Sequence, residues 1–285
     1  MIGRIVKGIG GYYFVSSDQT TYMGKARGNL KKNKEVLVVG DIVEFTLDNN
    51  NECVVNKIIE RKNFLRRPPV SNLDMMVVVF SIVKPDVNLP VIDKLIASCE
   101  YIGINVVICI SKTDLVSENE LNEIKSIYEK IYPVITIDNH SDEFSDEHLR
   151  NIIKGHSVAL AGPSGVGKST IINRLKSEAN AKTGSISDKT DRGRHTTRHV
   201  EIFDIGDNTF LFDTPGFTSL ELGLNDNANI DSLFPEIRKL SGNCKYRNCK
   251  HINEPDCAVK KALENGQLSQ SRYNSYLIIT EEVSK

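Results

Sequence analysis

The residues from Gly162 to Ser169 read Gly-Pro-Ser-Gly-Val-Gly-Lys-Ser, which matches the pattern G-x-x-x-x-G-K-S/T of phosphate-binding loops. An apolar strand is predicted directly before them, at 157–161, and a helix is predicted over 168–177, as this motif requires. Glycine lets successive backbone N–H groups turn toward one anion, and the start of the helix adds a partial positive charge. The sequence therefore predicts a loop that holds the phosphates of a nucleotide.

Two side chains of this loop are expected to take part in phosphate chemistry. Lys168 should reach the β- and γ-phosphates, and the hydroxyl of Ser169 should hold Mg²⁺. The residues expected to bind the nucleotide here are Gly162, Pro163, Ser164, Gly165, Val166, Gly167, Lys168, Ser169 and Thr170.

The stretch Asp213-Thr214-Pro215-Gly216 follows a predicted strand at 209–212. A carboxylate at a strand end can bind Mg²⁺ through water, which is the role expected for Asp213. The N–H of Gly216 can approach the γ-phosphate closely because no Cβ intervenes. Alone, D-x-x-G is usually a turn, but its position downstream of a phosphate loop favours the nucleotide-binding interpretation.

The residues Ser111, Lys112, Thr113 and Asp114 follow an apolar strand predicted at 104–110 and resemble the N-K-x-D motif that reads guanine in GTPases. The carboxylate of Asp114 would accept hydrogen bonds from N1–H and the 2-amino group of guanine. Adenine offers neither in that geometry, so ATP would be rejected. Lys112 would lie along the base. Ser111 replaces the usual Asn, which removes an orienting contact. Taken alone, these residues would be interpreted as a surface turn.

Three cysteines and one histidine between residues 244 and 257 form a candidate metal site: Cys244, Cys249, His251 and Cys257. Soft sulfur and nitrogen ligands in a set of four suit tetrahedral Zn²⁺, and a set supplied wholly by protein predicts a structural ion. A redox pair is a weaker alternative because the segment has no C-x-x-C. Lys245, Arg247 and Lys250 stand between the ligands, where a rigid loop could present them to phosphate.

Short strands separated by turn residues are predicted over the first part of the chain, at 3–7, 12–16, 21–25, 36–39, 41–47 and 52–59. Five or six strands in so short a segment fit a small β-barrel of the OB or SH3 type. The periodicity does not distinguish the two types, and we describe the barrel as OB-like. Pro68-Pro69 predicts a linker after it.

Apolar strands then alternate with amphipathic helices, which predicts an α/β domain with a mostly parallel sheet. Strands are predicted at 75–83, 104–110, 134–137, 157–161, 199–205 and 209–212, and helices at 90–101, 118–131, 146–154 and 168–177. Helices are predicted at 229–239, 257–265 and 269–282 in the last part. We expect domains at 1–67 (OB-like barrel), 68–220 (α/β) and 221–285 (mainly helical, zinc-binding).

The order of the motifs is unusual, because in ordinary GTPases N-K-x-D lies downstream of the phosphate loop and here it lies upstream. A parallel sheet can be cut and rejoined without moving a site, since each motif follows its own strand. This order, with a preceding barrel and a following metal cluster, closely resembles the RsgA family (also called YjeQ or YloQ), which are circularly permuted GTPases dependent on the small ribosomal subunit. The resemblance covers nearly the whole chain.

The resemblance implies GTP hydrolysis to GDP and phosphate with Mg²⁺, one structural Zn²⁺, and a role in late assembly of the small subunit. The implied partners are the 30S subunit and 16S rRNA, bound by the barrel and the zinc element. Two alternatives remain: a GTP-gated RNA- or protein-binding module with slow hydrolysis, and a GTPase that acts on a different RNA or protein.

The stretch 193–198 resembles the family's G-R-H-T-T-T, with Arg198 in place of the last Thr. By this resemblance Thr197 is expected to coordinate Mg²⁺, with Thr196 as the alternative. Phe217 stands where many GTPases carry a water-orienting Gln, and its side chain cannot polarise water. His195 is the nearest candidate replacement by family resemblance, and an ordinary surface or packing histidine is the alternative.

Composition limits the classes of protein to which the chain could belong. Apolar content of 40% and charged content of 26% are ordinary for a soluble globular protein, and no apolar run approaches the ~20 residues that cross a bilayer. Without a signal-peptide pattern we expect a cytosolic, monomeric protein whose Cys53, Cys99 and Cys109 are core residues. The net charge is −1, but residues 1–67 hold 12 Lys/Arg and 7 Asp/Glu, a charge of +5. A solvated surface would explain that excess, and nucleic acid remains open.

Overall fold

The computed structural model describes residues 1–28, 30, 36–138, 146–183, 200–213 and 229–283. The chain divides into two compact units. The first contains the described residues of Met1–Met76, Asp146–Leu160 and Lys168–Phe217, and the second those of Val77–Ser145, Ala161–Gly167 and Thr218–Lys285. Within the described ranges, every helix is too short or too polar to cross a membrane.

The strands are β1 (Ile2–Ile9), β2 (Tyr12–Ser17), β3 (Thr20–Ala26), β4 (Ile42–Leu47), β5 (Cys53–Ile58), β6 (Phe64–Arg66), β7 (Pro69–Ser71), β8 (Met75–Ser81), β9 (Asn105–Ser111), β10 (Val134–Ile137), β11 (Ser157–Ala161), β12 (Glu201–Asp204) and β13 (Phe210–Asp213). The helices are α1 (Leu89–Ile102), α2 (Glu118–Tyr128), α3 (Asp146–Ile153), α4 (Lys168–Thr183), α5 (Pro235–Ser241), α6 (Ala258–Glu264) and α7 (Gln270–Val283), with 3₁₀ helices at Thr113–Leu115 and Ile230–Leu233.

The first five strands close into a barrel in the order β1-β2-β3-β5-β4, because β4 pairs back onto β1. β3 and β5 run parallel, and the other neighbours run antiparallel. Alternate side chains point inward and form a buried core that includes Ile5, Val15, Val43, Phe45 and Val55. This is the five-stranded OB-type arrangement, so the predicted OB-like barrel is confirmed.

The strand predicted at 36–39 is wrong, because Val39 makes only an isolated bridge to Val70. A side chain organises this segment instead: the N–H of Val38 donates to Asp41 Oδ2 over 2.9 Å. Asp41 is itself buried and paired with Arg61 at 2.6 Å. The local backbone is therefore a turn built on a buried carboxylate, which an apolar run of residues does not reveal.

The linker predicted at Pro68-Pro69 is also wrong, because β6 and β7 form a short hairpin there, with Arg66 opposite Pro69. Two asparagine side chains fasten the base of this hairpin. The Asn63 amide donates to the Leu73 carbonyl over 2.7 Å, and Asn72 Oδ1 accepts from the N–H of Lys62 over 2.9 Å.

The α/β part of the first unit continues from the barrel. Its strands follow the order β11-β13-β12-β1, and β11 and β13 are parallel. Lys7 of β1 lies opposite Glu201 of β12, and their side chains form an ion pair at 2.9 Å. β13 ends at Asp213, and α4 begins at Lys168. A barrel strand is therefore hydrogen-bonded to the hairpin that ends at the predicted magnesium ligand.

The second unit contains the strand order β10-β9-β8 and the helices α1 and α2. Every residue of β8 is buried, as expected for a strand covered on both faces. The side chain of Asn88 caps α1 by accepting from the N–H of Val91. Ser117 and Glu120 form a capping box at the start of α2, which ends at Tyr128, three residues before the predicted end.

The C-terminal helices of the second unit pack around a core that includes Phe234, Ile237, Val259 and Tyr276. The single helix predicted at 229–239 is wrong: the chain forms a 3₁₀ helix to Leu233 and then α5. Phe234 between them is extended because the ring of Pro235 disfavours a helical conformation for the preceding residue.

Candidate functional site

The phosphate loop has a backbone that only glycine adopts readily. Gly162, Gly165 and Gly167 have φ values of 143°, 80° and 95°. A Cβ built on Gly162 would lie 1.9 Å from the carbonyl oxygen of Val79 in β8, so the loop lies directly against that strand. Ser164 and Gly165 are exposed, while Val166 is buried and anchors the loop.

Ser111 joins the guanine motif to the phosphate loop within the second unit. Its hydroxyl, 1% exposed, donates to the carbonyl of Val166 over 2.7 Å and lies 3.2 Å from the carbonyl oxygen of Phe80. We therefore expect this serine to orient the motif in place of the usual asparagine. Its short side chain ties the end of β9 to the phosphate loop and to β8.

The rest of the motif forms a tight turn after β9. Lys112 has a left-handed backbone with φ of 57° and precedes the 3₁₀ helix that contains Thr113 and Asp114. The ammonium group of Lys112 donates to the carbonyl of Lys84, which lies in the loop after β8. Asp114 is exposed, which is compatible with the base-reading role predicted for it.

A further polar residue, Asp138, lies at this edge of the sheet and was not among the predicted site residues. β10 runs parallel to β9 with Ile137 opposite Ser111, so Asp138 follows β10 where Lys112 follows β9. The carboxyl ends of parallel strands meet at one edge, where ligands of α/β folds bind. The signal was available in the sequence, since a polar residue follows a predicted strand at that position.

The predicted magnesium ligands of the first unit occupy the start of α4 and the end of β13. Ser169 and Thr170 are exposed in the first turn of α4, and burial lowers the pKa of Lys168 below its ordinary value. The carboxylate of Asp213 pairs with Lys176 of α4 at 2.7 Å. Lys176, which the sequence analysis did not single out, thus holds the carboxylate that Mg²⁺ would engage.

Several predicted residues lie outside the described ranges. These are His195, Thr196, Thr197, Gly216 and Phe217. The roles expected for them stay predictions.

The four predicted metal ligands come together as one cluster that could hold a metal ion. One ligand atom from each of Cys244, Cys249, His251 and Cys257 lies within 4.8 Å of the others, and all but Cys244 are buried. The Cys244 and Cys257 sulfurs are 3.9 Å apart, and His251 Nδ1 lies 3.3 Å from the latter. Two sulfurs bound at about 2.3 Å in a tetrahedral site would be separated by nearly this distance.

The other three cysteines are core residues, as predicted. All three are buried. Burial raises the pKa of Cys53 to about 11 and that of Cys99 to about 12, and it raises the pKa of Cys109 as well. These thiols therefore stay protonated and are poor nucleophiles or metal ligands.

We expect Ser111→Ala to weaken GTP binding by about twofold to tenfold. The change leaves the buried carbonyl of Val166 without the hydroxyl donor, at a cost of about 0.5–1.5 kcal/mol that loosens the phosphate loop. Titration with a fluorescent GTP analogue measures the effect. Ser126→Ala, which removes an exposed hydroxyl from α2, is the control, and equal affinities of the two variants would contradict the orienting role.

Comparisons with known proteins agree with this arrangement. The family model described as RsgA GTPase matches residues 58–223, and that described as RsgA N-terminal domain matches residues 2–55. The small ribosomal subunit biogenesis GTPase RsgA of Alkaliphilus metalliredigens is 41% identical over 286 residues, which cover 99% of this chain and 98% of that protein. RsgA 2 of Listeria monocytogenes is 42% identical over 283 residues, covering 99% and 97%.

Two solved structures are similar to this chain over nearly its full length. YjeQ from Thermotoga maritima is 29% identical with a TM-score of 0.84, covering 99% of this chain and 98% of that one. YloQ, described as a circularly permuted GTPase, is 32% identical with a TM-score of 0.83, covering 99% and 94%. The chain is a circularly permuted GTPase and belongs to the RsgA family.

Proposed function

We propose that this chain hydrolyses GTP to GDP and phosphate during late assembly of the small ribosomal subunit, and that the 30S subunit stimulates the reaction. The observation that carries the nucleotide part is the hydrogen bond from Ser111 to Val166, which holds the guanine motif against the phosphate loop. The relatives whose names refer to small ribosomal subunit biogenesis support the choice of partner.

The proposed reaction is an in-line attack of water on the γ-phosphate. Asp114 reads guanine, and Lys168 neutralises charge on the β- and γ-phosphates. Ser169, Asp213 and Thr197 would hold Mg²⁺, which supplies further charge neutralisation when bound. His195 orients the water, because Phe217 cannot do so. Asp213, whose Oδ2 pairs with Lys176 at 2.7 Å, would engage the metal through water.

We propose that the cluster of Cys244, Cys249, His251 and Cys257 holds one structural Zn²⁺. Its donors are soft, they number four, and they come from the protein alone, which leaves no position open for a substrate. Zinc would hold the loop between residues 244 and 257 in one conformation.

The metal loop and the barrel are the proposed contacts with 16S rRNA. Lys245, Arg247 and Lys250 are exposed on the loop, and the ring of Tyr246 beside them is 45% exposed. Basic groups beside an exposed aromatic ring suit phosphates and unpaired bases. The barrel segment, with its charge of +5, supplies a second contact.

We also propose a location, an oligomeric state and domain boundaries for the chain. The chain acts as a cytoplasmic monomer with no membrane partner, and its domains are 1–67, 68–220 and 221–285. A second candidate is a GTP-gated RNA- or protein-binding module whose slow hydrolysis times release, which Phe217 in the usual place of Gln favours.

We expect purified 30S subunits to raise the rate of GTP hydrolysis by at least about tenfold, because partners that order the catalytic groups of slow GTPases raise the rate by a larger factor.

We also expect more of the protein to pellet with 30S subunits in the presence of a non-hydrolysable GTP analogue than in the presence of GDP. His195→Ala should bind 30S and GTP normally but lose most of the stimulation.

Purified 50S subunits are the control for both measurements. Nucleotide-dependent pelleting without a rate increase would favour the binding module. Equal binding to both subunits, whatever the nucleotide, would contradict the proposed partner. Full stimulation of the His195→Ala variant would remove His195 from the catalytic role.

A further inference from the structure

The imidazole of His251 is held on the side opposite the sulfur atoms. Its Nδ1 faces Cys257 Sγ at 3.3 Å and Cys244 Sγ at 3.5 Å, whereas its Nε2 lies 3.2 Å from Asp231 Oδ2. A neutral imidazole that uses one nitrogen for a metal carries its proton on the other. Nδ1 faces the sulfur atoms, where a metal would bind, so Nε2 would carry the proton and donate it in a hydrogen bond to Asp231.

The carboxylate of Asp231 is held in turn through its other oxygen. The hydroxyl of Tyr276, a fully buried residue of α7, lies 2.7 Å from Asp231 Oδ1. The same hydroxyl lies 2.9 Å from the carbonyl oxygen of Lys250, the residue before His251. Both oxygens of Asp231 thus have a partner, which leaves the carboxylate one orientation.

The backbone of His251 is also held by α7. His251 has φ of 59°, a left-handed conformation that is uncommon for a residue with a Cβ. The hydroxyl of Tyr273 donates to the His251 carbonyl over 2.6 Å. Two tyrosines of one helix therefore contact the carbonyls on both sides of the ligand.

Buried ion pairs join the helix that carries these tyrosines to two other helices. Arg272 of α7 is buried, and it pairs with Asp93 of α1 at 2.6 Å and with Glu236 of α5 at 2.7 Å. Side chains that orient a metal ligand act through such fixed neighbours, because a mobile acceptor would not select one ring orientation.

We propose that Asp231 is a positioning residue of the metal centre, which it serves by orienting His251 through Nε2, and that Tyr276 holds Asp231 in place. This inference rests on the proposed zinc site. It extends the centre to the 3₁₀ helix Ile230–Leu233 and to α7, neither of which carries a ligand.

Competition with a chromophoric chelator measures the zinc affinity of the full-length protein. We expect Asp231→Ala to weaken zinc binding by about 10- to 100-fold, the usual effect of losing such a partner. Asp231→Asn keeps an acceptor without the charge and should weaken zinc binding less than Asp231→Ala does. Tyr276→Phe should weaken zinc binding several-fold. Asp256→Asn is the matched control, because Asp256 precedes the ligand Cys257 yet contacts only exposed lysines in the described structure.

Cobalt substitution gives a second readout that a general loss of stability would not produce. In Asp231→Asn we expect the Co²⁺ absorption bands of a tetrahedral site to persist with shifted maxima, because the ring turns while the ligands remain. GTP-analogue affinity should be unchanged, which shows that the variant is folded. Wild-type affinity and spectrum in both Asp231 variants would overturn the inference, whereas a wild-type protein that binds no zinc would overturn the site itself.

Discussion

Asp114→Asn should lower the affinity of the chain for GTP by about 100-fold and shift its preference toward xanthine nucleotides. The carboxylate can accept from both N1–H and the 2-amino group of guanine, and hydrogen bonds to a charged group contribute about 1.5–3 kcal/mol each. Asparagine retains one acceptor and turns an N–H₂ toward the other donor. Losing one such bond and placing two donors against each other should lower the affinity for GTP by about two orders of magnitude.

The measurement is competition of GTP, XTP and ATP for a fluorescent guanine nucleotide. The position of Asp114 in an exposed turn after β9 means that the substitution should leave the fold intact. Asp207→Asn makes the same chemical change in an exposed residue that pairs with Lys154, and it should not alter base preference. If Asp114→Asn retained both GTP affinity and guanine preference, the residue would not read the base.

Arg272→Ala should lower the free energy of unfolding by about 3–5 kcal/mol, the largest stability effect that we expect of a single substitution. The guanidinium is buried, bonds Asp93 and Glu236, and lies 4.7 Å from the centre of the Phe234 ring. Asp93 is also fully buried. Removing the cation leaves that carboxylate in a low dielectric, where the Tyr128 hydroxyl, 3.0 Å away, is the one remaining side-chain donor among the described residues.

Chemical denaturation measures the effect. Arg238→Ala is the control, because Arg238 is 55% exposed and lies 3.9 Å from Glu100, a geometry worth about 0–1 kcal/mol. The double variant Arg272→Met with Asp93→Asn removes both charges and should recover part of the loss. If Arg272→Ala lowered the free energy of unfolding no more than Arg238→Ala does, solvent would have to reach the pair of Arg272 and Asp93.

The local motifs of this chain could be predicted because their chemistry is contained in consecutive residues. Lys168 and the three glycines before it must be neighbours in sequence to wrap one phosphate chain, and the four proposed metal ligands lie close along the chain for the same reason. Strands such as β8 were predictable because continuous burial requires a continuous apolar run. Where side chains bond to the backbone, the sequence pattern predicted the wrong local structure: an apolar run suggested a strand beside Asp41, and a proline pair suggested a linker in the hairpin that Asn63 fastens.

By itself, the sequence determined the phosphate loop, the candidate guanine motif, the order that marks the permutation, and the set of candidate metal ligands. Only the tertiary structure decided which distant residues support them. Ser111 meets Val166, Lys176 meets Asp213, Asp231 meets His251, and Arg272 meets Asp93. The reason is physical: each of these contacts joins two elements whose separation along the chain is long, so the contact exists only once strands and helices have packed. Spacing along the chain specifies a ligand set, whereas packing specifies what holds it in place.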